Sequence, residues 1–248
     1  MSIERNTRIQ IYPDAQALAA AAADLFVERA QEAQANRRWF HVALSGGSTP
    51  RMAYALLAQP PRRDALNWER VRIYWGDERA VPPSHPESNY GMVYETLLKH
   101  VPIPLHSVCR MRGEDDPFAA AHSYQAALRG FWHDTPRFDL VMLGMGADGH
   151  VASLFPHTTA VDTPGAWVVA NHVPKLNMWR LTMTAEIFNA AACVAFLVSG
   201  ANKASRLRTI LNEEGDPQEE PARLIKPDRG ELIWLVDADA ASQLQHEN

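Results

Sequence analysis

The sequence predicts an α/β fold with a mainly parallel central sheet flanked by helices, Rossmann-like in architecture. Short strand-length apolar runs, at residues 39–44, 71–75, 138–143, 193–198 and 232–236, alternate with helical stretches along the whole chain. The run 138–143, bounded by Pro136 and Gly144, suits a strand buried on both faces of a parallel sheet. Four of these runs exit into glycine-bearing turns, where open α/β sheets place their ligands.

In chain order, residues 8–12 read as an edge strand and 14–35 as an alanine-rich helix capped by Asp14. The strand 39–44 leads into Ser45-Gly46-Gly47-Ser48-Thr49-Pro50, with Thr49 as cap and Pro50 as the first residue of a helix to about Ala58. After the strand 71–75 comes Asp77-Glu78-Arg79, a charge cluster that either faces solvent or lines a site. A proline-rich surface loop follows, then a helix 89–100 capped by Ser88, a strand 107–111, and a helix from Asp116-Pro117 to about Phe131. Residues 166–171 and 180–184 read as strands, and alternation puts Arg180, Thr182 and Thr184 on one face, either a solvated edge or one wall of an anion site. Beyond the strand 193–198, Asn202 is expected to cap a helix to about Leu211 and to place Lys203 in its first turn, where the helix dipole disfavours a cation unless an anion is bound. The segment NEEGDPQEEP reads as a mobile acidic surface loop, 221–225 as a short helix, 232–236 as the last strand, and the end as a helix with a frayed QHEN tail.

Bulk properties narrow the possibilities. At 248 residues with no repeat or composition break, a single domain over 1–248 is expected. With 24 basic and 29 acidic residues the net charge is −5, and the absence of a basic stripe with interleaved aromatics argues against nucleic acid as a partner. No apolar run approaches the roughly eighteen residues that cross a bilayer, and MSIERNTRIQ lacks the apolar centre of a secretion signal, so a cytoplasmic protein without membrane contact is expected. Cys109 and Cys193 lie in strand-like surroundings and read as reduced core residues. The histidines form no H-E-x-x-H, and neither a metal nor a cofactor is expected. The oligomeric state is not legible.

The stretch FDLVMLGMGADGHVASLFPHT, residues 138–158, carries the chemistry. Gly144, Gly146 and Gly149 allow a tight turn and close approach of a ligand to backbone. Asp148 and His150, two apart in that turn, can form a pair in which the carboxylate holds one imidazole tautomer while the other nitrogen faces a substrate. Histidine, with a reference pKa of about 6.5, suits proton exchange near neutrality. The competing reading is a histidine satisfied by backbone within the turn. G-x-G-x-x-G also matches the dinucleotide fingerprint, but Pro156 follows within two turns and the residues after it read as loop, which argues against a nicotinamide cofactor. Earlier in the chain, strand, Gly46-Gly47 turn and helix start form a candidate phosphate cradle of free N–H groups and helix dipole; a plain strand-to-helix turn is the alternative.

Four segments in this order, SGGSTP at 45–50, GDERAVPPSHPESNY at 76–90, GMGADGHVASLFP at 144–156 and SGANKA at 199–204, make the chain resemble the 6-phosphogluconolactonases over nearly its whole length. That family shares its fold with the glucosamine-6-phosphate deaminases. The resemblance implies hydrolysis of a phosphosugar lactone in the oxidative pentose phosphate pathway, with His150 as general base and Asp148 positioning it. It further implies that Gly46, Gly47, Ser48 and Thr49, joined by Arg180 and Lys203, hold the phosphate, while Asp77, Arg79 and Gly146 line the sugar. The oxyanion would be met by backbone N–H groups of the glycine turn or by Arg79. His157 departs from the glycine usual in the family after S-L-F-P.

Two rivals stand beside this reading. An aminosugar-phosphate deaminase and isomerase would need extra acids, and the residues after His150, VASLFPH, hold none. A non-catalytic sugar-phosphate sensor would keep Ser48, Thr49, Arg180 and Lys203 but could dispense with His150. An esterase is disfavoured because no G-x-S-x-G elbow supplies a nucleophile.

Overall fold

A computed structural model describes residues 7–36, 39–132, 134 and 136–244. Strands β1 (Thr7–Tyr12), β2 (Phe40–Leu44), β3 (Val71–Trp75), β4 (Asp77–Arg79), β5 (Val108–Cys109) and β6 (Leu140–Gly144) form the first part. Interleaved with them are helices α1 (Ala15–Asn36), α2 (Ser48–Leu57), α3 (Asn89–Thr96) and α4 (Pro117–Phe131). The hairpin β7 (Val168–Val173) and β8 (Met178–Met183) follows, then α5 (Ala185–Asn189), β9 (Cys193–Val198), α6 (Ala204–Asn212), β10 (Glu231–Asp237) and α7 (Ala238–Ala241).

Seven strands form one sheet in the order β1-β10-β9-β6-β2-β3-β5, every neighbouring pair parallel. Its central strands are buried on both faces because helices cover both; β9 is buried at all six positions. Helix α1 presents Leu18, Ala19, Ala22, Ala23, Phe26 and Ala30, all with no exposed surface, and its small alanines let the helix axis approach the strands closely. From β2 the chain steps outward to β3 and β5, whereas from β6 it steps the other way to β9 and β10. The connections leaving β2 and β6 therefore diverge, and a crevice opens at the carboxyl ends of these two neighbours.

A second, antiparallel sheet, β4-β8-β7, is attached at this end. Gly76 joins it to the first sheet: its N–H donates to Leu44 O at 2.8 Å and its carbonyl accepts from Met183 N at 2.8 Å. Residues 77–79 are thus a strand rather than a loop, because β8 supplies the pairing partner.

Asp14, Ser88 and Asp116 cap their helices, each side chain accepting from a first-turn N–H. Other boundaries differ from expectation. The α2 helix opens at Ser48, not at Pro50, and Thr49 is not its cap; Gly47, with φ 109°, turns the chain in a way that starts the helix two residues earlier. The helix expected at 89–100 ends at Thr96, and a 3-10 turn covers Leu98–His100. Asn202 caps nothing, because Ala201–Lys203 form a 3-10 turn ahead of α6. Asp237 instead organises this corner, accepting from Gly200 N at 3.0 Å and Ser199 Oγ at 2.5 Å and capping α7 through Ala240 N at 2.8 Å. The QHEN tail at 245–248 lies outside the described residues.

The acidic segment 212–221 is not wholly a surface loop, since Glu220 is buried. It accepts from Arg206 Nη1 at 2.6 Å and pairs with Arg223 Nε, while Ala222 N donates to Gly149 O at 2.9 Å. The segment therefore backs the turn that carries Asp148 and His150. It also holds His157, whose N–H donates to Gln218 O at 3.2 Å and whose Nε2 lies 3.1 Å from Glu219. His157 has φ 57°, the left-handed region where the glycine that the resemblance implies here would carry no steric cost. Glu220→Ala leaves the buried Arg223 without its carboxylate partner, bonded only to the carbonyls of Thr209, Ile210 and Glu213, and is expected to lower unfolding free energy by about 3 kcal/mol in a urea titration.

Candidate active site

At the exit of β2, Tyr54 grips Ser45 through both backbone groups, its hydroxyl accepting from Ser45 N at 3.1 Å and donating to Ser45 O at 3.0 Å. The next residue must be glycine, since a Cβ on Gly46 would lie 1.9 Å from Asn89 Oδ1. Gly47 then caps α2 without any side-chain hydrogen bond, so no cap side chain competes for the first-turn N–H groups.

At the exit of β6 the glycine turn closes on itself, with Gly146 N donating to His150 O at 2.8 Å and Gly149 N to Gly146 O at 3.0 Å. Asp148 Oδ1 lies 2.5 Å from His150 Nδ1 and also accepts from His150 N at 3.3 Å. The imidazole stacks on Phe155, centroids 4.0 Å apart and planes 20° apart. A Cβ on Gly146 would fall 2.0 Å from His150 Nδ1 and 2.5 Å from Asp148 Oδ1, so Gly146 makes room for this pair as well as bordering the cleft. Its φ is not in the left-handed region, so alanine is tolerated by the backbone. Gly146→Ala is accordingly expected to leave the circular dichroism spectrum intact while lowering kcat about 10²-fold through displacement of the imidazole.

The two turns face each other across one cleft of about 200 Å³, lined by Gly46, Gly47, Asp77, Arg79, Gly146, His150 and Lys203 among the expected residues. Ser48, Thr49, Asp148 and Arg180 do not line it. Ser48 is exposed and Thr49 buried at the head of α2, and Asp148 sits behind the imidazole. Arg180 is buried in β8 directly across from Arg79 in β4.

Charge is distributed unevenly over these residues. Burial and, secondarily, the neighbouring Arg79 push the Arg180 guanidinium below its ordinary pKa, and burial lowers Lys203. Neither side chain has a hydrogen bond or ion pair among the described residues, and the Nε atoms of Arg79 and Arg180 are buried without a partner. Arg79 does donate through Nη1 to Glu87 O at 2.5 Å. Two arginines opposed across a strand pair, with a lysine nearby, are unfavourable by themselves and favourable around an anion. His150 is pushed down to about 4, chiefly by burial, with Lys203, Arg180 and Arg79 also lowering it and Asp77 opposing them. The imidazole is therefore neutral at pH 7 and able to accept a proton.

The sequence reading missed several supporting residues. Asn89 Nδ2 donates to Asp77 O at 2.9 Å and Oδ1 at 3.2 Å, while Ser153 Oγ donates to Asp77 Oδ2 at 2.7 Å. Glu78 is buried beside Asp77 and serves the fold, accepting from Asn89 N and Tyr90 N at 2.7 Å each at the start of α3. Burial raises its pKa. Lys175, from the β7–β8 turn, pairs with Asp148. Asn89 and Ser153 lie inside motif segments, and only their role was illegible; nothing in the spacing signalled Lys175.

Known proteins resemble this chain in sequence and in fold. Residues 13–234 match the family described as glucosamine-6-phosphate isomerases/6-phosphogluconolactonase. A 6-phosphogluconolactonase of Aggregatibacter actinomycetemcomitans is 41% identical over 204 residues, covering 82% of this chain and 87% of that protein. One of Nostoc is 37% identical over 243 residues, covering 95% and 98%. The solved 6-phosphogluconolactonase of Trypanosoma cruzi superposes with a TM-score of 0.88 at 28% identity, covering 99% of this chain and 98% of that one. A monomeric glucosamine-6-phosphate deaminase superposes with a TM-score of 0.79 at 20% identity, a likeness of fold.

Proposed function

From the premise that the chain belongs to the glucosamine-6-phosphate isomerase/6-phosphogluconolactonase family, we propose that it hydrolyses 6-phospho-D-glucono-1,5-lactone to 6-phospho-D-gluconate in the oxidative pentose phosphate pathway. One observation supports this above the others: a single cleft joins Arg79, Lys203, which has no hydrogen bond or ion pair among the described residues, and the Gly46-Gly47 turn at the head of α2 to a neutral, carboxylate-backed imidazole. The phosphate is met by the Gly46-Gly47 turn and Lys203 of the cleft lining, with Ser48 and Thr49 next to Gly47 and Arg180 opposite Arg79 contributing from outside that lining. Arg79 and Asp77 border the sugar ring.

With Nδ1 held by Asp148, Nε2 of His150 takes a proton from water as its oxygen attacks C1. The tetrahedral intermediate collapses by breaking the bond from C1 to the ring oxygen, which receives the proton from the imidazolium. The new carboxylic acid ionises and releases one proton. The N–H groups of Gly146, Gly149, His150 and Val151 are all engaged within the turn, which favours Arg79 as the donor to the oxyanion.

Deamination is disfavoured by the same geometry. Asp77 is the carboxylate that lines the cleft among the described residues, and both its oxygens already accept hydrogen bonds from Asn89 and Ser153. The test is acid release from freshly prepared 6-phosphogluconolactone against the spontaneous background, with unphosphorylated gluconolactone and glucosamine 6-phosphate in parallel. Faster release from the phosphorylated lactone alone is expected. Ammonia from the aminosugar, or no acceleration of lactone hydrolysis, overturns the reading.

A further inference from the structure

Asp148 is held from two sides. Its Oδ1 faces His150 Nδ1 at 2.5 Å, and its Oδ2 pairs with Nζ of Lys175. Lys175 belongs to the 3-10 turn Pro174–Leu176 between β7 and β8, a turn ended by Asn177 in the left-handed conformation. The same Nζ lies 4.8 Å from the centroid of Phe155, the ring on which the imidazole stacks. Lys175 thus touches both supports of His150, the carboxylate and the aromatic ring, while standing outside the cleft lining.

The pair is of little use to the fold. The Lys175 side chain is 51% exposed, and ion pairs at that exposure contribute little to stability. The hairpin that carries it is instead tied to the site. Asn171 Nδ2 on β7 donates to Ser153 O and Thr158 Oγ1, both at 2.9 Å, and β8 carries Arg180.

We propose that Lys175 is a positioning residue for the reaction: by holding Asp148 Oδ2 it directs Oδ1 at Nδ1–H, leaves Nε2 free to take the proton of water, and offsets the carboxylate charge that would otherwise favour imidazolium. The chemistry rests on the lactonase reading, whereas the arrangement of charges does not. Lys175 keeps its proton throughout; the transferred proton moves only between water, His150 Nε2 and the ring oxygen. Asp148 stands behind the imidazole with Lys175 on its far oxygen, while Asp77 from β4 favours protonation of the ring and Lys203, Arg180 and Arg79 oppose it. Removing Lys175 takes away one opposing cation and leaves Asp148 unbalanced, so protonation of His150 becomes easier.

The experiment compares wild type, Lys175→Met and Lys175→Arg by ¹⁵N NMR titration of the His150 imidazole and by steady-state kinetics. In Lys175→Met the His150 midpoint is expected to rise by about one unit. Its kcat should fall about tenfold with KM within about twofold, and the acid limb of kcat/KM should move up with the midpoint. Lys175→Arg should restore most of both, because the cation is retained. An unshifted midpoint and tautomer in Lys175→Met overturns the proposal, as does an equal loss of kcat in both variants with the midpoint unmoved, which is the mark of packing alone. The titration needs no turnover, so a wild-type protein inert toward the lactone would refute the proposed function and leave this test standing.

Discussion

His150→Ala is expected to lower kcat on the phosphorylated lactone by about 10²–10⁴, the usual share of general base catalysis, with KM nearly unchanged. The split follows from the layout, because the cations and the helix start proposed to hold the phosphate lie on elements other than the turn that carries the imidazole. A fall in affinity with an unchanged kcat would assign His150 to binding. The pH dependence has a definite sign. With its folded-state midpoint near 4, His150 is deprotonated from neutrality down to about pH 5, so kcat/KM should stay level over that range and fall as pH drops through about 4. For stability, the folded midpoint lies below the unfolded reference of about 6.5. The neutral imidazole's contribution is therefore complete above about 6.5 and is lost as pH falls toward 4. An acid limb near 6.5 in the wild type would show that the site does not suppress protonation.

Arg180→Met should lower kcat/KM for the phosphorylated lactone by about 10²–10³, mostly through KM, and leave hydrolysis of unphosphorylated gluconolactone almost unaffected. Its effect on the empty protein runs the other way. Arg180 is buried opposite Arg79, and burial together with that neighbour disfavours its charged form. An apolar side chain of similar length removes the repulsion and the desolvation cost, so the ligand-free variant should gain about 1 kcal/mol, or roughly 2–4 °C in Tm. Phosphate added to the wild type should recover that difference, since an anion that binds only the folded state stabilises it by mass action. A variant less stable than the wild type and equally impaired on both lactones would make Arg180 a structural residue.

Much of this was legible beforehand, and the reasons are local. The runs that became β3 and β9 were placed at their observed bounds because an apolar segment between polar turns has one way to be buried. Asp14, Ser88 and Asp116 were readable as caps because capping chemistry is decided within three residues. The start of α2 and the turn at Asn202 are not legible locally, because Gly47 and the distant Asp237, rather than the nearest hydroxyl or amide, set those turns. Gly146 was read as a place for a ligand, and the ring it accommodates is also the protein's own.

By itself, then, the amino-acid sequence determined the layered α/β architecture, the glycine turns at the strand exits, and the pairing of Asp148 with His150, since each depends on side-chain chemistry or on neighbours a few positions away. Only the tertiary structure decided that Arg79 and Arg180 oppose each other, that Asn89 and Ser153 anchor Asp77, and that Lys175 stands behind Asp148. Those contacts join residues 12 to 101 positions apart, and their partners are chosen by sheet order and register, which no local pattern encodes.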